Sequence, residues 1–213
     1  MLRRVKSTTD AAAVGFSVHT GWAASVLVAG PLPAPRILLR DRIRLADSED
    51  TVRAQVYHRA ARLSGPAAAK FVRESQDAAA RRARAAVESL RESQPLVAAG
   101  ILMSAGKLPS DLAAILRSHP FIHTAEGVLY REALASAAEE CGLEVVRVPR
   151  RELPDRFASA LGTDEAGARE RLAAMGRAIG PPWARDQKDA AMAALVALAL
   201  TRAPGSRRAS GSG

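Results

Sequence analysis

Residues 11–30 read AAAVGFSVHTGWAASVLVAG, two apolar runs of strand length joined through a small polar stretch, Ser17-Val18-His19-Thr20-Gly21. Successive side chains of an extended chain point to opposite faces, so Ser17 and His19 share one face and Phe16 and Val18 the other. The pattern predicts a β-hairpin. Its polar edge at Ser17 and His19 is then a place to grip a nucleotide or a metal, if the rest of the chain supplies partners.

Working outward, Pro31-Leu32-Pro33-Ala34-Pro35 cannot donate to a sheet ladder and must be a connection. Residues 36–45, RILLRDRIRL, alternate charged and apolar from Arg40 onward and read as a third strand. Arg40, Arg42 and Arg44 form its charged side, facing solvent or a ligand and protecting a sheet edge. Residues 47–50, DSED, are a helix-start cluster. The pattern stays helical to about residue 93, broken near Ser64-Gly65-Pro66, which predicts two helices. Val52, Val56, Ala60 and Leu63 recur at helical spacing and are expected to face the core. Arginines, Arg81 and Arg82 among them, cover much of the remaining helical surface.

Residues 96–103, LVAAGILM, form a continuous apolar run of the kind a buried central strand shows. Gly106-Lys107 is not a phosphate loop: Gly100 to Gly106 has one residue too many for the Walker spacing, and Leu108 stands where a Ser or Thr is needed. A short helix is expected from Asp111. In His119-Pro120-Phe121-Ile122-His123-Thr124-Ala125-Glu126, Thr124 is the expected N-cap of a helix running to about Cys141, with Glu126 in its first turn. Pro120 argues against His119 and His123 sharing a helix face, and hence against a two-histidine metal pair. Gly142 closes the helix, and residues 144–149, EVVRVP, are a further strand, joined by a crossover that makes the sheet locally parallel. Three more helices follow, to about residue 161, over 164–179, and from near Asp186 to near Arg202.

The 213 residues suit one domain, over 11–203, between a basic lead-in at 1–10 and a flexible tail at 204–213. A hydrophobic fraction of 48% with only 4% aromatic residues means a core of Ala, Leu and Val. The net charge is +9, and all the positive residues except Lys6, Lys70, Lys107 and Lys188 are arginine. Arginine favours phosphate, which points to DNA or RNA, and a GC-rich coding bias explains the same composition without either. Cys141 is the only cysteine, so neither an intrachain disulfide nor a thiolate cluster within one chain can form, and a reducing, cytoplasmic setting is expected. Arg3-Arg4 and the apolar region after it loosely imitate an export signal, but Asp10, Ser17, His19 and Thr20 interrupt it. The apolar run at 190–200 is about half the length that spans a bilayer, so no membrane partner is expected.

The order hairpin, third strand, helix, strand, helix, strand, helices resembles that of the ribonuclease H-like fold, which implies a mixed five-stranded sheet with helices on both faces. Gly15-Phe16-Ser17-Val18-His19-Thr20-Gly21-Trp22-Ala23 resembles the first-hairpin motif of the RuvC resolvase branch, Gly-x-Asp-x-Gly followed by Thr-Gly-aromatic. Residues 125–149 resemble the helix and strand that follow there, and residues 186–195, DQKDAAMAAL, its final helix, where two acidic residues three apart precede a small-residue apolar run. In that family, carboxylates from the first strand, the fourth strand and the last helix hold two divalent ions that cut a phosphodiester.

Carried over by position, the resemblance matches Asp186 and Asp189 on the last helix as metal ligands. Ser17 stands in the acidic slot of the first strand and His19 in the following Gly slot. The fourth-strand station falls within residues 98–101, where there is no acid. Two of three stations are therefore empty, and the resemblance implies a RuvC-like nucleic-acid-binding protein with little or no nuclease activity, needing either no cofactor or Mg2+. The nucleic-acid surface is expected on Arg40, Arg42, Arg44, Arg81 and Arg82. One alternative is a metal-dependent nuclease with a rearranged site of Ser17, His19, Glu126 and Asp189, in which Glu126 replaces a missing acid and His19 is a ligand or general base. Another is a structural module that pairs with itself or with a protein partner. A third, nucleotide phosphate held at Thr20-Gly21 as in sugar-kinase and actin-like ATPases, needs a second domain for which the chain is too short. Asp186 and Asp189 also have a plain reading, as a cap and a first-turn carboxylate at a helix N-terminus.

Overall fold

The structure is a computed structural model and describes residues 10–47, 51–104 and 106–202. The expected lead-in, apart from Asp10, the expected tail and Ser48-Glu49-Asp50 lie outside the described residues. The opening stretch folds as predicted: β1 (Ala12–His19) and β2 (Trp22–Ala29) pair antiparallel with His19 opposite Trp22. Thr20-Gly21 makes the turn. Gly21 has φ 81° and its carbonyl accepts from the backbone N–H of Leu45 at 2.8 Å and Ala46 at 3.1 Å, a backbone conformation that favours glycine. β3 (Arg36–Arg44) lies antiparallel to β2 at the edge of the sheet.

The chain then passes through α1 (Thr51–Ala54), α2 (Val56–Ala60) and the long α3 (Gly65–Ser93) to β4 (Leu96–Met103), which is parallel to β1. Next come α4 (Leu112–Leu116), α5 (His119–Glu140) and β5 (Glu144–Pro149), the last parallel to β4. A 3-10 turn at Arg150–Glu152 leads to α6 (Leu153–Leu161), α7 (Glu165–Ile179) and α8 (Arg185–Arg202). The sheet order is β3-β2-β1-β4-β5. Strand alternation divides the core in two. Val14, Phe16, Leu27 and Ile101 pack with residues of α3 and α5, such as Val87 and Leu134, on one face. Ala13, Val26, Ala98 and Leu102 pack with α6 and α8, through Phe157, Leu195 and Leu198, on the other.

The closest packing is between α8 and the middle of the sheet. Gly15 and Gly100 are partners in the β1–β4 ladder. A Cβ on Gly15 would lie 1.8 Å from the Ala190 carbonyl oxygen, and one on Gly100 2.1 Å from that of Ala193. The helix backbone therefore rests on the strands with only Ala190, Ala193, Ala194 and Ala197, all fully buried, between them.

Three local expectations are corrected. The helical stretch before residue 64 is two short helices, α1 and α2, interrupted at Gln55. Val56 and Ala60 are buried as expected, but Val52 and Leu63 are 67% and 46% exposed, because neither short helix continues one periodic face. Thr124 is not a cap. α5 begins at His119 with Pro120 in its first turn, where a missing N–H costs nothing, and the Thr124 hydroxyl donates to the Pro120 carbonyl at 3.0 Å inside the helix.

Gly100→Val forces a side chain into the α8 backbone, so we expect a loss of about 1–3 kcal/mol or more of stability, read as a lower urea midpoint. The two tyrosines supply a pH test. Burial, and behind it the Glu126 carboxylate, pushes the Tyr130 phenol well above its usual range, while its hydroxyl donates to the Ala54 carbonyl at 2.7 Å. Tyr57 is raised as well, again mainly by burial. A phenol whose folded pKa is raised stabilises the fold fully below its unfolded value of 10.0 and loses that contribution as pH rises beyond it. Absorbance titration should therefore show tyrosinate appearing together with alkaline unfolding, not before it.

Candidate functional site

The face of the sheet under α8 collects the polar residues of the opening hairpin. Ser17, fully buried, and His19 project from β1 toward the first turn of α8. His19 Nε2 lies 2.9 Å from Asp186 Oδ1, and the Ser17 hydroxyl donates to the same oxygen at 3.5 Å. The His19 ring stacks on Trp22 with centroids 4.3 Å apart and planes 10° from parallel. The Arg42 guanidinium lies 3.9 Å over the Trp22 ring. A continuous row, Arg42–Trp22–His19–Asp186, thus runs from the sheet edge to the last helix. β-Strand alternation puts Arg40 and Arg44 on the same face as Arg42.

Asp189, one turn further along α8, is 8% exposed and has different partners. Arg150, in the 3-10 turn after β5, donates to Asp189 Oδ2 at 2.5 Å, and Arg185 Nε is 3.8 Å from that oxygen. Arg150 also bears on Arg131 of α5, which is 7% exposed and whose Nε has no hydrogen-bond partner among the described residues. Burial lowers the Arg131 pKa, and the positive charge of Arg150 lowers it further. The two carboxylates of α8 are thus each held by a basic side chain, Asp186 by an imidazole from β1 and Asp189 by a guanidinium from beyond β5.

The remaining sequence candidates do not gather here. Glu126 lies on α5, whose core residues pack against the opposite face of the sheet, and is 3% exposed. Its carboxylate accepts from the backbone N–H groups of Val56 at 3.0 Å, Tyr57 at 2.7 Å and His58 at 3.1 Å. It is a cap for α2 contributed from another helix, not an acid beside Asp189. Arg81 and Arg82 sit on α3, also on that opposite face; Arg82 pairs with Asp47. Arg40 stays on the α8 face but is bound to the carbonyls of Gly180 and Pro181, each at 2.7 Å, and to that of Pro182, tying the edge strand to the loop before α8. The candidates the structure brings together are therefore Ser17, His19, Asp186 and Arg42, with Asp189 nearby on the same helix. Trp22, Arg150 and Arg131 are additions. Trp22 stands in the quoted hairpin motif, whereas nothing in the local sequence marks Arg150 or Arg131.

The donor set does not fit a two-magnesium centre. Such ions require several oxygen ligands in near-octahedral array. β4 offers Ala98, Gly100 and Leu102 to this face, β1 offers a hydroxyl, and both available carboxylates are engaged with basic groups.

Solved structures share this architecture, RuvC among them. RuvC of T. thermophilus in complex with a Holliday junction substrate matches with a TM-score of 0.53 at 14% identity, over 90% of this chain and 95% of that one. A second Thermus thermophilus RuvC structure matches with a TM-score of 0.51 at 18% identity, over the same 90% and 95%. No family model and no curated sequence matches the chain. The chain has the ribonuclease H-like fold. Within that class its form is that of RuvC. No helix among the described residues is long and apolar enough to cross a membrane.

Arg150→Ala leaves a nearly buried carboxylate with only the more distant Arg185. We expect it to lower stability by about 1–3 kcal/mol and Asp189→Asn to recover part of that loss in the double variant, as measured by urea denaturation in a double-mutant cycle.

Proposed function

We propose that the chain is a RuvC-like nucleic-acid-binding protein with little or no nuclease activity. The observation that carries this reading is the pairing of both α8 carboxylates with basic side chains of the chain itself. Metal-assisted phosphodiester cleavage needs anionic ligands free to hold cations, and here Asp189 is paired with the Arg150 guanidinium and Asp186 is in contact with the His19 imidazole. A centre arranged in that way favours an approaching anion over a metal ion. Arg150 and Arg185 lie against Asp189, Arg42 lies over Trp22 at the other end of the row, and Trp22 offers an aromatic face of the kind on which bases stack. The RuvC neighbour is bound to a Holliday junction, which makes branched DNA the first ligand to try.

The test is a gel-shift series with a four-way junction, linear duplex and single-stranded RNA at several salt concentrations, followed by incubation with Mg2+ or Mn2+. We expect binding that weakens steeply with salt, and no cleavage products. Arg42→Ala should weaken binding to all sequences and reduce the salt slope by about 1. Metal-dependent cleavage that disappears in Asp189→Ala would instead establish a rearranged nuclease, and no binding at low salt would leave a protein-partner role.

A further inference from the structure

Three of the four histidines in the chain, His58, His119 and His123, meet on the side of the sheet away from Asp186 and Asp189. We infer that they form a binding site for one zinc-class divalent cation, separate from the α8 face and clamping α2 to the start of α5. One candidate ligand atom from each lies within 4.8 Å of the other two. His119 and His123 stand on consecutive turns of α5, because Pro120 occupies the first turn of that helix and begins it instead of breaking it. That spacing places both imidazoles on one helix face, and their Nε2 atoms are 2.9 Å apart. This overturns the expectation that proline keeps the pair from acting together.

The third imidazole comes from a different helix, and Glu126 is what brings it there. The carboxylate that binds three backbone N–H groups of α2 also lies 3.2 Å from His58 Nδ1. A carboxylate oxygen accepts, so the contact assigns the proton to Nδ1 and leaves the Nε2 lone pair of His58 free. A carboxylate behind a ligating histidine is the arrangement that orients imidazoles at metal centres. His58 stands 4.7 Å, centroid to centroid, from His123 and 5.6 Å from His119, each close to edge-on.

The donors select the ion. Three neutral nitrogens with no carboxylate or thiolate among them suit zinc, cobalt or nickel, and not magnesium or calcium, which require oxygen ligands. Tetrahedral zinc–nitrogen bonds place the ligand atoms about 3.3 Å apart, so rotation of the imidazoles from their present positions closes the site. His119 and His123 are exposed and His58 half-buried, so the ion enters from solvent and retains water at the fourth position.

The test uses the full chain without a polyhistidine tag. Calorimetric titration with Zn2+ should give one equivalent, undiminished by excess Mg2+, and a raised melting temperature. His123→Ala and His119→Ala, both at exposed positions, should raise the Kd by at least about tenfold, while His19→Ala, on the other face, leaves stoichiometry and affinity unchanged. Cobalt(II) should give the visible absorption of a four-coordinate nitrogen site in the wild type and lose it in His123→Ala. Zinc uptake by the wild type no tighter than by a His119→Ala/His123→Ala variant that retains its circular dichroism spectrum overturns the inference, whatever becomes of nucleic-acid binding.

Discussion

The architecture depends on the contact between the backbone of α8 and a pair of glycines. Gly15 and Gly100 face each other across the β1–β4 ladder, and the carbonyls of Ala190 and Ala193 occupy the space their side chains would need. Interiors are packed at crystal-like density, so a contact between two backbones fixes position far more tightly than contact through flexible side chains. The small residues of α8 are therefore a geometric requirement. Once they seat the helix, its first turn must lie beside the polar end of β1, which brings Asp186 against His19 although 167 residues separate them in sequence.

That placement also decides the electrostatics. A helix N-terminus is the positive end of a dipole, and carboxylates are stabilised there even without partners. Asp186 and Asp189 have partners in addition, an imidazole on one side and a guanidinium on the other. Breaking such pairs is costly where the carboxylate is buried, as Asp189 is, because the remaining charge has lost its water. The constraint is therefore strongest at Asp189, whose carboxylate is nearly buried against Arg150.

Much of this was legible from residue pattern. β4 falls where a continuous apolar run begins and ends, β1 and β2 follow from two apolar runs joined by a polar turn, β3 from the alternation after Arg40, and β5 from the short stretch after the Gly142 helix stop. What pattern missed was decided by contacts between distant segments. The interruption at Gln55 has no local breaker. It is stabilised at the next residue, Val56, by a carboxylate 70 residues further on, at Glu126. The same residue was a natural candidate for the acid site, since sequence reveals its charge but not which face of the sheet α5 covers. Proline gave the opposite error: Pro120 was read as a separator of two histidines, yet at the first turn it starts the helix that aligns them.

The removal of Glu126 from the α8 face changes what that face can be. With it, that face would hold three carboxylates, Glu126 from α5 beside Asp186 and Asp189 from α8, a richer oxygen set for a divalent ion. Without it, Asp186 and Asp189 stand against His19, Arg150 and Arg185 by direct contact, with Arg131 beyond Arg150 and Arg42 beyond Trp22. Carboxylates are then in the minority among the titratable side chains in direct contact there. The buried Arg131 sharpens this. Burial deprives its guanidinium of water and the positive charge of Arg150 adds to that cost, so Arg131 holds its proton less tightly than a free arginine does. The balance of charge on the α8 face is thus set in part by which side of the sheet α5 covers, a property that no local stretch of sequence carries.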